Sequence, residues 1–498
     1  MNMYRIGFDN EKYLKLQSEH INERIEQFGG KLYLEFGGKL FDDYHASRVL
    51  PGFQPDSKLQ LLLKLKDIAE IIVVINSDDF VQHKVREDIG ITYDQDVYRL
   101  IDAFVASGLY VSSVCLTRFH NQNGTKPFER KLNKQGIRTY HTLDIPDYPY
   151  NLDHVLSDDG LGKNDWIPTT RKLVVVTAPG PGSGKMATCI SQIYNDSKRG
   201  ISSGYAKFET FPIWNLPLKH PVNLAYEAAT ADLNDVNMID PYHLEAYGVT
   251  TVNYNRDIDT FPVLNRLFEK LYGHSPYKSP TDMGVNMAGF CISDDDVCQE
   301  AAKQEIIRRY YRALVDQRNE KATQAEVDKI AALMTTNNIE LSERKCVEAA
   351  REKARQTHNP ACAMETNEGE IITGKTSSLL SAVSALILNA LKSFAGIKDD
   401  VTLLPKNVIE PVSELKTRDL GGHNPRLHLD ETLVALSISA VLNPLAELAV
   451  RQLGKLRHTQ VHSTVILSSQ DESTLKKLGI DLTCDPVYAT KKLYHSNH

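Results

Sequence analysis

Short apolar segments alternate with helix-like segments through the first half of the chain, and this alternation constrains the fold more than any other feature. The apolar segments are typical of buried strands, and the segments between them repeat apolar residues at helical spacing. Alternating strands and helices predict an α/β fold with a mainly parallel sheet and helices on both faces. The strands are expected at 69–76, 109–119 and 171–177, and the helices at 94–107 and 127–135.

Two segments of the same half do not follow this alternating pattern. The stretch KLYLEFGGKLFDDY has two short apolar runs on either side of Gly37 and Gly38, which predicts a β-hairpin. Residues 204–262 are rich in Pro, Asn, Tyr and acidic residues and show little sustained periodicity. Long irregular segments in compact domains tend to be functional, so this segment is expected to contribute to a substrate pocket.

The second half of the chain predicts a helical region followed by another α/β unit. Residues 294–358 carry helical patterns throughout, and Thr323 to Glu326 fit a capping box. Residues 359–498 again mix strands and helices. The expected organisation is an α/β domain with a glycine-rich phosphate loop at 1–293, a helical insert at 294–358, and a C-terminal α/β subdomain at 359–498.

The stretch TAPGPGSGKMAT directly follows the predicted strand 171–177 and has most features of a phosphate-binding loop. Such a loop needs glycines that turn backbone amides toward one point, a following helix N-terminus, a lysine for the phosphates, and a hydroxyl for magnesium. The order strand, glycines, lysine and helix is present. The predicted ligand-binding residues are Gly180, Gly182, Ser183, Gly184, Lys185 and Thr188.

The loop departs from the usual pattern at two positions. Pro179 stands where the first glycine is normally found, and Met186 stands where a magnesium-binding Ser or Thr is expected. Ser183, Thr188 or a distant carboxylate would have to replace that hydroxyl. The alternative is a tight strand-to-helix turn that binds no ligand.

A second stretch, GEIITGKT at 369–376, matches the phosphate-loop pattern letter for letter. Its middle residues favour an extended backbone and cannot easily adopt the conformations that cradle a phosphate. This stretch therefore predicts a strand that ends in a turn, with Thr376 or Ser377 capping the next helix.

Polar side chains follow several of the predicted strands, where ligands of open α/β sheets bind. These are Asn76, Ser77, Asp78, Asp79, Arg118, His120, His141 and Asp144. The catalytic candidates are Lys185, Asp78, Arg118 and His120, with Asp78 also the candidate magnesium ligand. The alternative for each of them is a solvated loop end. In the irregular segment, the candidate substrate residues are Lys207, Glu209, Lys219, His220, Asp232 and Asp240.

Composition excludes several classes of protein. The net charge is −7 and no stretch is strongly basic, so no nucleic-acid partner is expected. The longest apolar stretch, from Leu379, contains Ser, Asn and Lys and predicts a buried helix, so no membrane partner is expected. Seven widely spaced cysteines without a CxxC pair indicate reduced thiols in the cytoplasm and no readable zinc site.

Several long stretches together resemble a bacterial family of about this length. They are GKLYLEFGGKLFDDYHASRVLPGF, VVVTAPGPGSGKMATC, YAKFETFPIWNLPLKHPVNLAYEAATADLNDVNMIDP and SPTDMGVNMAG. The family is known as an uncharacterised protein family (UPF), or domain of unknown function (DUF), with a separate C-terminal part. The resemblance implies a cytoplasmic bacterial protein with an α/β N-terminal region, a helical insert and an α/β C-terminal subdomain. Some relatives are labelled ATP-dependent peptidase, but this chain has no zinc motif, serine-type triad or complete Walker loop, so we do not adopt that label.

The sequence thus predicts a cytoplasmic, nucleotide-dependent transferase or ligase that binds ATP or another phosphate compound with magnesium. Phosphoryl transfer and ATP-activated condensation are the expected reaction classes. One alternative is a regulatory protein that holds a nucleotide without turnover. Another is a scaffold whose helical region, 294–358, pairs with a second copy to form a homo-oligomer.

Overall fold

The computed structural model describes residues 5–86, 90–146 and 148–490. The chain divides into two compact units. The first, here called the sheet unit, comprises Ile6–Glu227 and Asp235–Ala301. The second, here called the C-terminal unit, comprises Arg5, Ala228–Asn234 and the described residues from Ala302 onward. By comparison, the sequence assigned 294–358 to a separate helical region.

Strands and helices alternate through the sheet unit. The strands are β1 Leu32–Phe36, β2 Ala69–Asn76, β3 Val85–Arg86, β4 Ile91–Thr92, β5 Val111–Thr117, β6 Arg138–His141, β7 Leu173–Thr177, β8 Gly204–Phe208, β9 Asn237–Ile239, β10 Val252–Tyr254 and β11 Gly284–Val285. The helices are α1 Asn10–Gln27, α2 Tyr44–Val49, α3 Ser57–Lys64, α4 Asp78–Val81, α5 Tyr93–Ala106, α6 Thr125–Lys134, α7 Leu152–Val155, α8 Lys185–Lys198, α9 Pro221–Ala229, α10 Pro241–Tyr247, α11 Asn255–Tyr272 and α12 Pro280–Met283.

The core of the sheet unit is a seven-stranded sheet in the order β11-β8-β1-β7-β2-β5-β6. Every neighbouring pair in it is parallel. The central strands β1 and β7 are buried along their whole length, as expected when helices cover both faces of a parallel sheet. The predicted α/β fold with a mainly parallel sheet is therefore confirmed.

Two predictions for the sheet unit are wrong. The segment around Gly37 and Gly38 is no hairpin, because β1 pairs in parallel with β7 and β8 and the chain continues into α2. Residues 204–262 are not irregular either, since they contain three strands and the helices α9 and α10, and α11 begins at Asn255. In both segments a strand finds its partners far away in the chain, which local sequence signals do not reveal.

The C-terminal unit has a smaller sheet with helices packed on it. Its strands are β12 Ala361–Glu365, β13 Ile371–Lys375, β14 Gln460–Ser463 and β15 Asp481–Cys484, in the order β13-β12-β14-β15. The helices that follow α12 are α13 Asp295–Arg318, α14 Gln324–Thr336, α15 Lys345–Thr357, α16 Ala382–Phe394, α17 Lys406–Glu414, α18 Leu429–Ser439, α19 Pro444–Val450 and α20 Ser469–Lys477. Helix α13 contributes residues to both units.

The stretch GEIITGKT forms β13, as predicted, and pairs in antiparallel fashion with β12. A Cβ on Gly374 would lie 2.2 Å from the backbone nitrogen of Leu386, so α16 packs directly on this strand. The predicted cap is wrong, because α16 begins at Ala382 and Ser381 caps it by accepting a hydrogen bond from the Ser384 amide. The capping box of Thr323 and Glu326 is confirmed at α14.

All seven cysteines are buried free thiols. None of the helices formed by the described residues combines the length and the apolar composition that a membrane crossing requires.

Candidate functional site

The chain leaves the two central strands of the large sheet in opposite directions. After β1 it reaches β2, on the far side of β7, and after β7 it reaches β8, on the far side of β1. Right-handed crossovers in opposite directions place their helices on opposite faces, which opens a crevice beyond the carboxyl ends of these strands. Gly37 follows β1 at this crevice, and the loop 178–184, here called the glycine loop, follows β7.

Side-chain hydroxyls hold the glycine loop through its carbonyl oxygens. The Thr117 hydroxyl, at the end of β5, donates a hydrogen bond of 2.7 Å to the carbonyl oxygen of Ser183. The Ser183 hydroxyl donates to the carbonyl oxygen of Gly180. Gly184 has a left-handed backbone with φ of 88° and directly precedes α8. These contacts fix the shape of the loop without using its amide hydrogens.

The amides of Gly182, Ser183, Gly184 and Lys185 donate to no carbonyl or side-chain acceptor in the described part of the chain. The first backbone hydrogen bond of α8 runs from the Thr188 amide to the carbonyl oxygen of Gly184, at 2.9 Å. A helix N-terminus carries unsatisfied amides and a partial positive charge, which together favour an anion. The loop therefore has the donors that a phosphate requires, while phosphate binding itself stays a prediction.

Two side chains next to the loop have unused polar groups. Lys185 is half-buried and forms no ion pair with any carboxylate among the described residues. The hydroxyl of Thr177, the last residue of β7, is fully buried and has no hydrogen-bond partner within residues 5–86, 90–146 and 148–490. Buried polar groups are nearly always hydrogen-bonded, so an unpaired one beside an open loop is consistent with a ligand site.

The opposite wall of the crevice carries a charged cluster, defined here as Glu35, Lys207, Glu209 and Asp257. Lys207 Nζ lies 2.6 Å from Asp257 Oδ2 and 2.9 Å from Glu209 Oε1. Glu35 and Lys207 face each other in register on the neighbouring strands β1 and β8. Two carboxylates thus contact one ammonium group inside the fold, and a third lies on the neighbouring strand.

The electrostatics of the charged cluster distinguish Glu209 from its neighbours. Burial and the nearby Asp257 raise the pKa of Glu209 to about 7, although Lys207 opposes the shift. Burial alone would lower the pKa of Lys207, but the charges of Asp257, Glu209 and Glu35 raise it above its usual value. The Glu209 side chain is 29% exposed, against 12% for Lys207 and 11% for Asp257. Glu209 is therefore a solvent-accessible carboxyl group whose pKa lies near neutral pH, as suits an acid or base at a functional site.

Tyrosines and an arginine complete this wall. The Tyr205 hydroxyl donates to Glu35 Oε2 at 2.7 Å. Burial, followed by the charge of Glu209, raises the pKa of Tyr226 to about 12, so its phenol stays protonated. Arg256 is about half exposed, and its Nη2 lies 3.4 Å from Asp235 Oδ2. Tyrosine hydroxyls and a second cation thus lie beside the carboxylates.

Electrostatic effects at the Cys189 thiol link the two walls. Burial and the negative charge of Glu35 raise the pKa of the Cys189 thiol well above its usual value, whereas the positive charge of Lys185 opposes the shift. Glu35 and Lys185 therefore both act on this residue of α8. Burial and Glu35 also raise the pKa of Tyr148 to about 12.

The predicted residues beyond β2 and β5 lie at the carboxyl edge of the sheet but are mostly paired with one another. Asp78 Oδ1 accepts a 3.0 Å hydrogen bond from Gln122 Nε2. The exposed Arg118 lies 3.4 Å from Asp144. His120 Nδ1 lies 3.1 Å from the carbonyl oxygen of Arg118. Their catalytic roles stay predictions.

No cluster of three His, Cys, Asp or Glu side chains suited to a metal occurs within the ranges that the structure describes. The Thr188 hydroxyl donates to the carbonyl oxygen of Gly184 at 3.0 Å, as the Ser183 hydroxyl does to that of Gly180. Both hydroxyl hydrogens are therefore engaged by carbonyl oxygens of the glycine loop.

The six candidate substrate residues separate into distinct settings. Lys207 and Glu209 belong to the charged cluster. Lys219 is exposed, and His220 Nε2 lies 3.1 Å from Asp295. Asp240 caps α10 by accepting from the amides of Tyr242 and His243, and it also accepts from the Thr281 hydroxyl at 2.6 Å. Asp232 is exposed and belongs to the C-terminal unit.

Sequence analysis missed Glu35 and Asp257. Glu35 interrupts an otherwise apolar strand, and a buried charge requires a partner, so its position was a usable signal. Asp257 lies in the first turn of α11, where acidic residues are common for purely local reasons. Only its contact with Lys207, 50 residues earlier, reveals its role.

A shallow cavity of about 410 Å³ lies elsewhere in the sheet unit. Its lining includes Leu152, Asp153, Tyr194, Ser197, Lys198 and Lys270. Three of these residues belong to the C-terminal end of α8, so roughly 14–20 Å of helix separates the cavity from the glycine loop. It is not part of the crevice.

Replacing Gly184 with alanine is expected to destabilise the sheet unit by about 1–3 kcal/mol. The new Cβ would meet Thr117 at 3.0 Å in a left-handed backbone, whereas a Cβ on Gly182 would meet nothing within 4 Å. Gly182→Ala is therefore the matched control, because it adds only the cost of placing a side chain on a left-handed backbone. Both tryptophans, Trp166 and Trp214, lie in this unit, so fluorescence during urea unfolding reports its stability. Equal losses of stability in the two variants would contradict the prediction that Thr117 packs too closely against Gly184 to admit a Cβ.

Comparison with known proteins places the chain in a family. Residues 6–338 match the family described as Domain of unknown function DUF1846, N-terminal, and residues 342–494 match its C-terminal counterpart. A UPF0371 protein of Streptococcus uberis is 54% identical over 492 residues, covering 99% of this chain and all of that protein. A UPF0371 protein of Streptococcus equi subsp. equi is 54% identical over 494 residues, with the same coverage. The chain therefore belongs to the DUF1846 family and is similar to bacterial UPF0371 proteins over nearly its whole length.

Proposed function

We propose that this chain is a nucleotide-dependent transferase or ligase whose ligand binds in the crevice between the carboxyl ends of β1 and β7. The observation that carries the proposal is the set of amides at Gly182–Lys185, which donate to no acceptor among the described residues, beside the ammonium group of Lys185, which contacts no carboxylate there. A nucleotide or phosphorylated metabolite fits these donors, because its charge is negative and its oxygens accept several hydrogen bonds. The topological switch between β1 and β7 supports the same position.

The glycine loop would act on the phosphate as charge develops during the reaction. Its amides are held in place by the loop before the ligand arrives, so they stabilise negative charge without reorganisation, and Lys185 adds a positive charge. Phosphoryl transfer and ATP-activated condensation both gain from this arrangement. Magnesium would be held by phosphate oxygens and Asp78, and it would neutralise further charge on the phosphates. A peptidase activity is not part of the proposal.

Glu209 would be the general base of the reaction. It is the most exposed carboxyl group of the charged cluster, and its pKa of about 7 allows it to accept a proton near neutral pH. Gly37 brings the end of β1 close to it, since a Cβ on Gly37 would lie 3.8 Å from Glu209 Oε1. Lys207 orients Glu209, and Arg256 and Tyr226 lie on the same wall. An acceptor hydroxyl or amine bound there would lose its proton to Glu209 as it attacks the phosphate or the activated group.

The role of Glu209 is tested by the pH dependence of turnover. With ATP and magnesium, phosphate release is expected to rise as the pH passes through about 7, because only ionised Glu209 accepts the proton. Glu209→Gln should lower the rate roughly 10²–10⁴-fold and abolish this rise. Glu269→Gln removes an exposed carboxylate of α11 and should leave the profile unchanged. A wild-type rate that falls through pH 7, or a Glu209→Gln profile equal to wild type, would refute the assignment.

The second candidate function is a regulatory or scaffold protein that holds a nucleotide without turnover. Met186 in the position of the magnesium-binding hydroxyl favours it. This alternative predicts a nucleotide that mass spectrometry detects after denaturation of the purified protein, with no release of phosphate. A measurable rate of phosphate release that Lys185→Ala abolishes would exclude it.

A further inference from the structure

A helical hairpin of the C-terminal unit exposes an unusual number of large apolar side chains. Helix α18 ends at Ser439, and a short turn leads to α19, which Asn443 caps by accepting from the Leu445 amide. Val441 is 80% exposed and Leu442 is 91% exposed in the turn between the helices. The apolar face is defined here as Val434, Ile438, Val441, Leu442, Leu445 and Leu448, all of them exposed.

The opposite side of the same hairpin packs into the hydrophobic core. Leu436 of α18 and Ala446 and Ala449 of α19 are fully buried in the core cluster that contains residues of α16. Their spacing places them on the inward side, whereas Val434 and Ile438 lie one turn apart on the outward side. The hairpin is therefore anchored in the fold, and its apolar face is a separate second surface.

The apolar face is large enough to support association. Six aliphatic side chains at these exposures present on the order of 500 Å² of apolar surface, at the upper end of the largest patch of a typical monomer. A standard interface buries roughly 800 Å² per partner, of which a little over half is apolar. The apolar area of this face is thus about equal to the apolar area that one partner contributes to such an interface.

The charges beside the apolar face make it complementary to itself. Glu447 and Arg451 on α19 are both exposed and lie 2.5 Å apart, so the face has a carboxylate and a guanidinium group at one edge. In a two-fold interface the same surface meets itself, so Glu447 of each copy can approach Arg451 of the other. The Ser437 hydroxyl already donates to the carbonyl oxygen of Leu433, so covering α18 leaves that proton paired.

From the size and charge of this face, we propose that two copies of the chain form a symmetric dimer by pairing their apolar faces. The occupant is a second copy because one face supplies both the apolar area and the opposite charges that its counterpart needs. This proposal is independent of the function proposed for the crevice. It also differs from the pairing through residues 294–358 that the sequence suggested.

Sedimentation velocity of the full chain tests the proposal. The wild type is expected to be dimeric at concentrations of about 10 µM, in keeping with an interface of standard size. Leu442→Glu should weaken dimerisation about 100-fold or more, because it forces two carboxylates into an apolar interface. The variant should keep the wild-type circular dichroism spectrum, since Leu442 makes almost no contribution to the core.

Val105→Glu is the matched control, because Val105 is an exposed aliphatic residue of α5 in the sheet unit. It introduces the same charge and should remain dimeric. A wild type that is monomeric at about 100 µM would overturn the proposal, as would a Leu442→Glu variant that dimerises as tightly as the wild type. Binding of an unrelated protein by a monomeric wild type would also overturn it.

Discussion

Lys207→Met is expected to lower the free energy of unfolding of the sheet unit by at least about 3 kcal/mol at pH 8. Methionine keeps the length of the side chain but removes the only ammonium group within the charged cluster. Asp257 and Glu209 lie 2.6 and 2.9 Å from that group, and Glu35 lies on the adjacent strand. Carboxylates that stay buried without a cation must either remain charged at high cost or take up protons.

The effect of Lys207→Met should depend on pH in a defined direction. In the wild type the folded state already raises the pKa of Glu209 from 4.5 to about 7. Loss of Lys207 should raise this pKa further, so above about pH 7 the folded variant keeps a proton that the folded wild type has released. The destabilisation should therefore be small at pH 5 and grow as the pH rises to 8.

Urea unfolding followed by tryptophan fluorescence, at pH 5 and pH 8, measures this difference. Lys198→Met is the control, because Lys198 is well exposed and its ion pair with Asp158 also lies at the surface. Such pairs contribute roughly 1 kcal/mol or less, with little dependence on pH in this range. A Lys207→Met variant that loses the same stability at both pH values would show that the carboxylates do not rely on Lys207.

Lys185→Ala is expected to weaken binding of the phosphate ligand about 100-fold, or by about 2.7 kcal/mol. Lys185 has no carboxylate partner among the described residues, so its charge is available to the ligand. Its removal should cost little stability for the same reason. Calorimetric titration with ATP, and with a panel of sugar phosphates, measures the affinity and identifies the ligand class.

Lys198→Ala provides the control within the same helix. Lys198 lies at the C-terminal end of α8, and its loss changes the net charge equally. A general electrostatic effect would weaken binding in both variants alike, whereas a direct contact affects Lys185→Ala alone. If the Lys185→Ala variant binds every ligand of the panel as tightly as wild type does, the proposed phosphate contact does not exist.

The parallel core could be predicted because its strands are continuous apolar runs. The strand predicted at 69–76 coincides with β2, whose residues are buried up to Ile75. Strand β8 escaped prediction because Lys207 interrupts its apolar pattern. A lysine is tolerated there because Asp257, far along the chain, pairs with it. Lys207 therefore concealed the strand from sequence analysis, and the same residue marks the charged cluster.

The glycine loop was predictable because its features are local, whereas the opposite wall is built from distant segments. Gly182, Gly184 and Lys185 follow one another directly, so spacing alone indicated the strand–loop–helix arrangement. Glu35 and Asp257 come from strand and helix segments with no shared pattern. Their contact with Lys207 could be predicted only from the order of the strands. The hairpin wrongly predicted at Gly37 concealed that β1 pairs with β8.

A crystal structure of the full chain grown with ADP and magnesium tests the central claim most directly. We predict that a phosphate group of ADP lies about 3 Å from the amides of Gly182–Lys185, with Lys185 Nζ directed toward it. ADP bound at another place, with these amides turned to water or to protein carbonyls, would contradict the account.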